Sequence, residues 1–308
     1  MNHYPADSDP EWTGRGPDPV LGELTRAPYR IVTPAGKASP FVFACPHAGR
    51  LYPESFLAGS LLQLPALRRS EDAFTDELFD GAAVHAPMLC ARFPRAFLDV
   101  NRSPKELDPT MFEGRLEMET EASARVAAGF GVIPRIVREG AEIARRKLAP
   151  WQAEERLALL HRPYHTALSR LIEDARACFG FAVVVDCHSM PGAPKLADIV
   201  LGDRFGASAS PGLIRLAERS FAAQGFSVAR NTPYAGGYTI ACHAKPHEGI
   251  HAFQIEVNRA LYLDEERIER GRHFDNVRKR IGEALTCIVT SDLDAICRPG
   301  NRSPQAAE

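Results

Sequence analysis

Residues 181–192 read FAVVVDCHSMPG: an unbroken apolar run, then Asp186, Cys187, His188 and Ser189, then a break at Pro191-Gly192. A strand with water on one side alternates apolar and polar residues. An unbroken apolar run belongs instead to a strand covered on both faces, and such strands occur in parallel or mixed α/β sheets. Ligands of these sheets gather at the carboxyl ends of the strands. The stretch therefore predicts a buried strand that delivers an acid, a thiol, an imidazole and a hydroxyl to a site.

The rest of the chain supports such a sheet. Strands are expected at FVFAC (41–45), within HAPMLCARF (85–93), at AFLDV (96–100), ADIVLGD (197–203), SVARN (227–231) and HAFQIEVN (251–258). In the last of these, Phe253, Ile255 and Val257 share one face and Ala252, Gln254 and Glu256 the other. Between Trp151 and Gly180, apolar residues recur at three- and four-residue spacing (Leu157, Leu160, Tyr164, Leu168, Leu171, Ile172, Cys178), which predicts an amphipathic helix stopped by Gly180. Pro163 inside it predicts a kink or two helices in series. Further helices are expected over 212–226, ending at Gly225, and over 263–289. Helices alternating with strands at these lengths predict an α/β fold, a three-layer α/β/α sandwich.

With 308 residues and no internal linker or repeat, a single domain over 26–297 is the simplest organisation. Residues 1–25, rich in Pro, Asp and Gly, are expected to be a flexible lead-in and 298–308 a flexible tail. A formal charge of −2 gives no reason to expect nucleic acid or an anionic membrane as partner, and no apolar stretch has the length of a membrane span. The N-terminus lacks the basic start and apolar segment of a secretory signal, and the seven cysteines are scattered without C-x-x-C spacing. Cys45, Cys90, Cys178 and Cys187 sit beside apolar residues and read as reduced core residues of a cytoplasmic protein.

Reactive residues collect where strands stop. His47 follows FVFAC; Asp186 and His188 end the central strand and, two apart, share a face. Glu256 is an acid in an otherwise apolar strand. SEDAFTDELFD (70–80) reads as a helix start with Ser70 as cap and Glu71, Asp72 and Asp76 in its first turns. Two histidines, a carboxylate and a spare acid are what a catalytic zinc requires: three protein ligands, a water in the fourth place, and a free carboxylate to move the proton. The metal lowers the pKa of that water to about 7. Arg95 and Arg102, with Asn101, flank AFLDV; a guanidinium can grip a carboxylate through two parallel bonds or stabilise a developing oxyanion. Each of these has a plainer alternative. His47 suits a turn, Asp72 or Glu71 the end of a helix, and Asp186 the role of orienting a histidine. Cys187 as a nucleophile paired with His188 is disfavoured, because neighbouring strand residues face opposite ways. His161, His165, His243, His247 and His251 widen the pool of ligands.

PHAGRLYP, EDAFTDELFD, RAFLDVNRSP, RPYHTAL, DCHSMPG, DIVLGD, GGYTI and HAFQIEVNRALYLDE occur in an order that resembles the N-formylglutamate amidohydrolases (N-formylglutamate deformylases) from about residue 40 to 265. That family is related to zinc carboxypeptidases and aspartoacylases. The resemblance implies their fold, a mixed and mostly parallel sheet between helices, and hydrolysis of N-formyl-L-glutamate to formate and L-glutamate, a last step in one bacterial route of histidine degradation. It implies one Zn2+ held by His47, Asp72 and His188, with Glu256 as general base and Arg95 polarising the carbonyl. Asn101 and Arg102 would bind the substrate carboxylate, and Gly237, Tyr238 and Thr239 would border the substrate. Zinc carboxypeptidases take two ligands from H-x-x-E, but here the fourth residue is Arg50. The third ligand comes from elsewhere, and Asp72, Glu71 and Asp76 all stand open for it. A zinc amidase acting on another N-acyl amino acid or a small peptide is the nearest alternative, and a non-catalytic carboxylate-binding protein a more distant one.

Overall fold

The computed structural model describes residues 18–298 except 37, 138, 139 and 194. The expected flexible ends over 1–17 and 299–308 lie outside the described residues. Seven strands form one sheet: β1 (Tyr29–Val32), β2 (Phe41–Cys45), β3 (Met88–Ala91), β4 (Ala182–Met190), β5 (Ile199–Gly202), β6 (Val228–Arg230) and β7 (Ile250–Asn258). Their order is β1-β3-β2-β4-β7-β5-β6. The four central strands β3, β2, β4 and β7 run parallel. Antiparallel contacts join β1 to β3 and β5 to β7.

The two faces of the sheet carry separate cores. On one, Phe43, Cys45, Val183, Val185, Cys187, Phe253 and Ile255 pack against the helices Pro211–Ala223 and Phe274–Val289. On the other, Val42, Ala44, Ala182, Val184 and Ala252 pack against the helix Arg162–Phe179 through Tyr164, Leu168 and Ile172. The sequence is thus read correctly as a three-layer α/β/α sandwich. Every residue of β4 is buried, as its apolar run requires. Gly180 ends Arg162–Phe179 in the left-handed conformation (φ 81°), where a side chain would strain the backbone. The break expected at Pro163 is met by a π-helical turn over Leu157–His161, which absorbs the loss of the proline N–H.

Three expectations of secondary structure fail. AFLDV is not a strand: Pro94 O accepts from both Phe97 N and Leu98 N, and Asp99 Oδ1 accepts from Asn101 N, so turns replace the ladder. The segment looked strand-like because Ala96, Leu98 and Val100 are buried on all sides. Helix formation over 70–80 is confined to Thr75–Leu78, and Ser70 is not its cap but donates back to Leu67 O. The final helix begins at Phe274, because Leu263–Asp264 and Glu269–Arg270 first form a hairpin. Within the expected lead-in, Pro19–Arg26 is a helix capped by Asp18, with Leu24 fully buried. Cys45, Cys90 and Cys187 are buried free thiols, whereas Cys178 is exposed. No helix among the described residues is long and apolar enough to cross a membrane.

Candidate metal and catalytic site

Asp186 and His188 on β4 lie opposite Gln254 and Glu256 on β7 in the strand register. These four residues continue the face that carries Val184 and Ala252 beneath the helix Arg162–Phe179. Nearer the carboxyl ends of the strands the same face turns polar and lines a cavity of about 620 Å³. Cys187, one residue along, points into the opposite core.

His47 stands in the turn after β2, and Asp72 is brought beside it by a backbone bond from Asp72 N to His47 O (3.1 Å). Asp72 Oδ2 lies 3.2 Å from His47 Nδ1 and 2.9 Å from His188 Nδ1. These three buried groups offer ligand atoms that all lie within 4.8 Å of one another. Behind them, His47 Nε2 meets Asp99 Oδ1 at 2.7 Å, and His188 Nε2 meets Asp186 Oδ2 at 2.9 Å. A carboxylate on the far nitrogen holds the proton there and leaves the Nδ1 lone pair facing inward, which is the outer arrangement of histidine metal ligands. Two imidazole nitrogens and one carboxylate oxygen suit a first-row divalent metal ion. The residues present fit a metal ion.

The electrostatics follow from burial and neighbours. Burial favours the neutral form of Asp72, but the hydrogen bonds with His188 and His47 and the charges of His47 and Arg259 overcome it and hold the carboxyl well below the usual range. Asp99 is depressed likewise: Arg95, His47 and Arg102 outweigh its desolvation. His188, although desolvated, is raised well above an ordinary histidine by Asp186, Asp72 and Glu256. For Glu256 burial outweighs the charges of His188, Arg95 and Arg259 and, with Asp72 beside it, pushes the carboxyl up to about 7.

Of the three acids open for the third position, the structure brings only Asp72 to the histidines. Glu71 is engaged by Tyr52 Oη (2.8 Å) and Arg68, and Asp76 by Arg50 and Arg30. Arg95 and Arg102 both line the cavity, Arg95 tied to Asp99 through Nε (2.9 Å) and Arg102 to the carbonyls of Phe130 and Asn101. Asn101 also reaches the cavity, but its amide is committed. Nδ2 donates to Asp186 Oδ2 (3.2 Å), beside His188 Nε2, and Oδ1 accepts from Thr239 N (2.8 Å). Asn101 therefore holds the histidine–carboxylate pair rather than offering a free amide to a substrate. GGYTI divides: Gly237 is on the cavity wall, whereas Tyr238 packs its ring on His161 and His165 and fully buried Thr239 lies behind Asn101.

Among the described residues the other histidines do not join the ligand cluster. His161 and His165 bind the carbonyls of Arg102 (3.0 Å) and Val100 (2.8 Å), so they hold the Asn101 turn. His243 pairs with His165, His251 with Cys297 O, and His247 is exposed. Gly237 is needed at this turn: a Cβ there would stand 2.4 Å from both Oδ1 and Nδ2 of Asn101. Gly237→Ala is expected to cost about 1–3 kcal/mol of stability through overpacking. By displacing Asn101 it should also loosen His188, weakening metal binding by about 10-fold or more. Thermal melts and a metal titration on the same variant check both.

Sequence reasoning missed Asp99 and Arg259. Asp99 had the signal that marked Glu256, an acid inside an apolar run, but was assigned to a strand. Arg259, 4% exposed, follows β7 and donates to Asp72 Oδ1 at 2.8 Å; a single arginine after a strand carries no distinguishing signal.

A family model described as N-formylglutamate amidohydrolase matches residues 39–263. The N-formylglutamate deformylase of Pseudomonas aeruginosa is 30% identical over 238 residues, 74% of this chain and 83% of that protein. The enzyme of the same name from Pseudomonas putida is 30% identical over 237 residues, 73% of this chain and 82% of that protein. The crystal structure of N-formylglutamate amidohydrolase from Ralstonia eutropha JMP134 superposes with a TM-score of 0.81 at 35% identity, covering 85% of this chain and 97% of that one.

Proposed function

The chain belongs to the N-formylglutamate amidohydrolase family and is an amidohydrolase, and we propose that it hydrolyses N-formyl-L-glutamate to formate and L-glutamate with one Zn2+ held by His47, Asp72 and His188. The observation that carries this reading is the convergence of two buried imidazoles on one buried carboxylate, beside the buried acid Glu256, in a cavity walled by arginines. The names of the relatives support the substrate, and the ligand set supports the ion. When bound, the ion would supply a Lewis acid for the formamide oxygen and acidify the attacking water.

The chain's own groups do the rest. Glu256 takes a proton from water and returns it to the departing amine; at about 7 its pKa suits both directions near neutrality. Arg95, with Nε fixed on Asp99, presents its terminal nitrogens to the oxyanion that develops on the carbonyl. Arg102 grips a glutamate carboxylate, and Arg125 lines the same cavity as a further cation for a substrate with two acid groups. Asp99, Asp186 and Asn101 orient the two imidazoles. We assign residues 26–297 to one catalytic domain, because a single sheet carries the site, with the helix Pro19–Arg26 packed on its core through Leu24. We place the protein in the cytoplasm, which the seven free cysteines support, and its reaction at the end of a histidine-degradation route.

Formate release from zinc-loaded protein tests the reading. Because a buried ion-pair partner is worth about 2 kcal/mol or more, kcat/KM for N-formylglutamate is expected to exceed that for N-formyl derivatives of uncharged amino acids by at least about 30-fold. One observation favours a second reading. At about 620 Å³ the cavity, with Phe130, Ile136 and Phe205 on its wall, falls in the range of about 300–1,000 Å³ that takes ligands larger than a formylated amino acid. A bulkier N-acyl amino acid or a small peptide would use that space, and preference for one in the same assay would replace formylglutamate as substrate.

A further inference from the structure

We propose that Arg259 is a positioning residue that restricts Asp72 to a single oxygen towards the metal, keeping coordination positions open for water and substrate. The inference rests on the metal reading above and deepens it.

A carboxylate can hold a cation through one oxygen or both, and the second mode occupies a position that a hydrolytic site needs free. In Asp72 the two oxygens are already differentiated. Oδ2 is the one that meets Nδ1 of both histidines, at 3.2 and 2.9 Å. Oδ1 accepts a hydrogen bond from Arg259 Nη2 at 2.8 Å. That bond is charge-assisted and, among buried groups, competes well with a metal for the oxygen's lone pairs.

Arg259 is itself fixed on several sides. Nε donates to Ser189 Oγ (3.1 Å), Nη2 also to Ser189 O (3.2 Å), and Nη1 to Arg69 O (3.4 Å). Ser189 follows His188 on β4, and Arg69 precedes Asp72 by three residues in the chain. The guanidinium therefore ties the strand that carries one ligand to the segment that carries another. Its planar fork spans Ser189 and Asp72 together, which an ammonium matches only in part.

The test compares wild-type protein with Arg259→Met and Arg259→Lys, each loaded with Zn2+ and, separately, with Co2+. Two quantities are read: the metal dissociation constant, by competition with a chelator, and the visible absorption of the Co2+ form, which weakens as coordination number rises. In Arg259→Met, Oδ1 is released. Metal affinity is expected to fall by about 10- to 100-fold, and the Co2+ band to lose intensity as Asp72 takes the ion through both oxygens. Arg259→Lys, which still donates to Oδ1, should lie between Met and wild type in both readouts; it also serves should the Met variant fail to fold. An Arg259→Met protein with unchanged affinity and spectrum would overturn the proposal. So would Met and Lys variants impaired to the same degree, since packing volume would then be the cause. Wild-type protein that takes up neither ion would instead bring down the metal reading itself.

Discussion

Glu256→Gln is expected to lower kcat by about 10²- to 10⁴-fold while leaving one Zn2+ per chain and a near-normal KM. The substitution keeps the shape and the neighbouring hydrogen bond with Gln254, whose Nε2 donates to Glu256 Oε1 at 3.2 Å. It removes the capacity to accept a proton, together with the charge of the carboxylate. The pH profile carries the second half of the prediction. Burial raises the Glu256 carboxyl to about 7, with the His188 charge opposing it and Asp72 adding to it. A general base works only when ionised, so the rate falls as pH drops through that value. A bound dication close by favours the carboxylate, which moves the acid limb of the loaded enzyme to lower pH, never higher. The Gln variant should lack this limb. Steady-state formate release from pH 5 to 9, with metal analysis of the same samples, reads all of these at once; undiminished turnover in the Gln variant would pass the role of base to another group.

Withdrawal of the metal by a chelator is expected to abolish turnover, with recovery on addition of one equivalent of Zn2+. Full activity in metal-free protein would sink the scheme. The structure adds a pH dependence to the reloading. In the metal-free protein, burial opposes charge on His188, yet Asp186, Asp72 and Glu256 hold its proton well above the ordinary histidine range. Since Asp186 keeps a proton on Nε2 in either state, the proton lost on metal binding is the one on Nδ1. Metal affinity should therefore rise with pH through neutrality and flatten only once that proton is gone, as a titration in buffers of different ionisation enthalpy would show. Loading should also raise the thermal midpoint, by an amount equivalent to about 2.7 kcal/mol when free Zn2+ is 100 times its dissociation constant.

These expectations draw on different levels of the molecule. The unbroken apolar run of β4 and the alternation in β7 were readable directly, because strand periodicity and two-sided burial leave their mark on consecutive residues. The same local rule placed Asp186 with His188 and Gln254 with Glu256, and turned Cys187 away from them. His47 was found as a residue ending a strand, and Glu256 as an acid where apolar residues dominate. The AFLDV segment misled for the same reason: burial on every side looks alike in a strand and in a packed turn. Asp99 was lost with it.

What the sequence by itself determined is therefore the sheet, its layers, and the strand ends at which polar groups emerge. All of these follow from forces acting between residues a few positions apart. Tertiary structure alone decided which of Glu71, Asp72 and Asp76 meets the two imidazoles, because that depends on a backbone bond from Asp72 to His47 across 25 positions and on the Arg68, Tyr52 and Arg50 partners that take the other two acids. It also decided that Asn101 faces inward to Asp186 and that Arg259 reaches back 187 positions to Asp72. Hydrogen bonds and ion pairs between distant segments leave no period in the chain; they exist only once burial has brought their partners within about 3 Å.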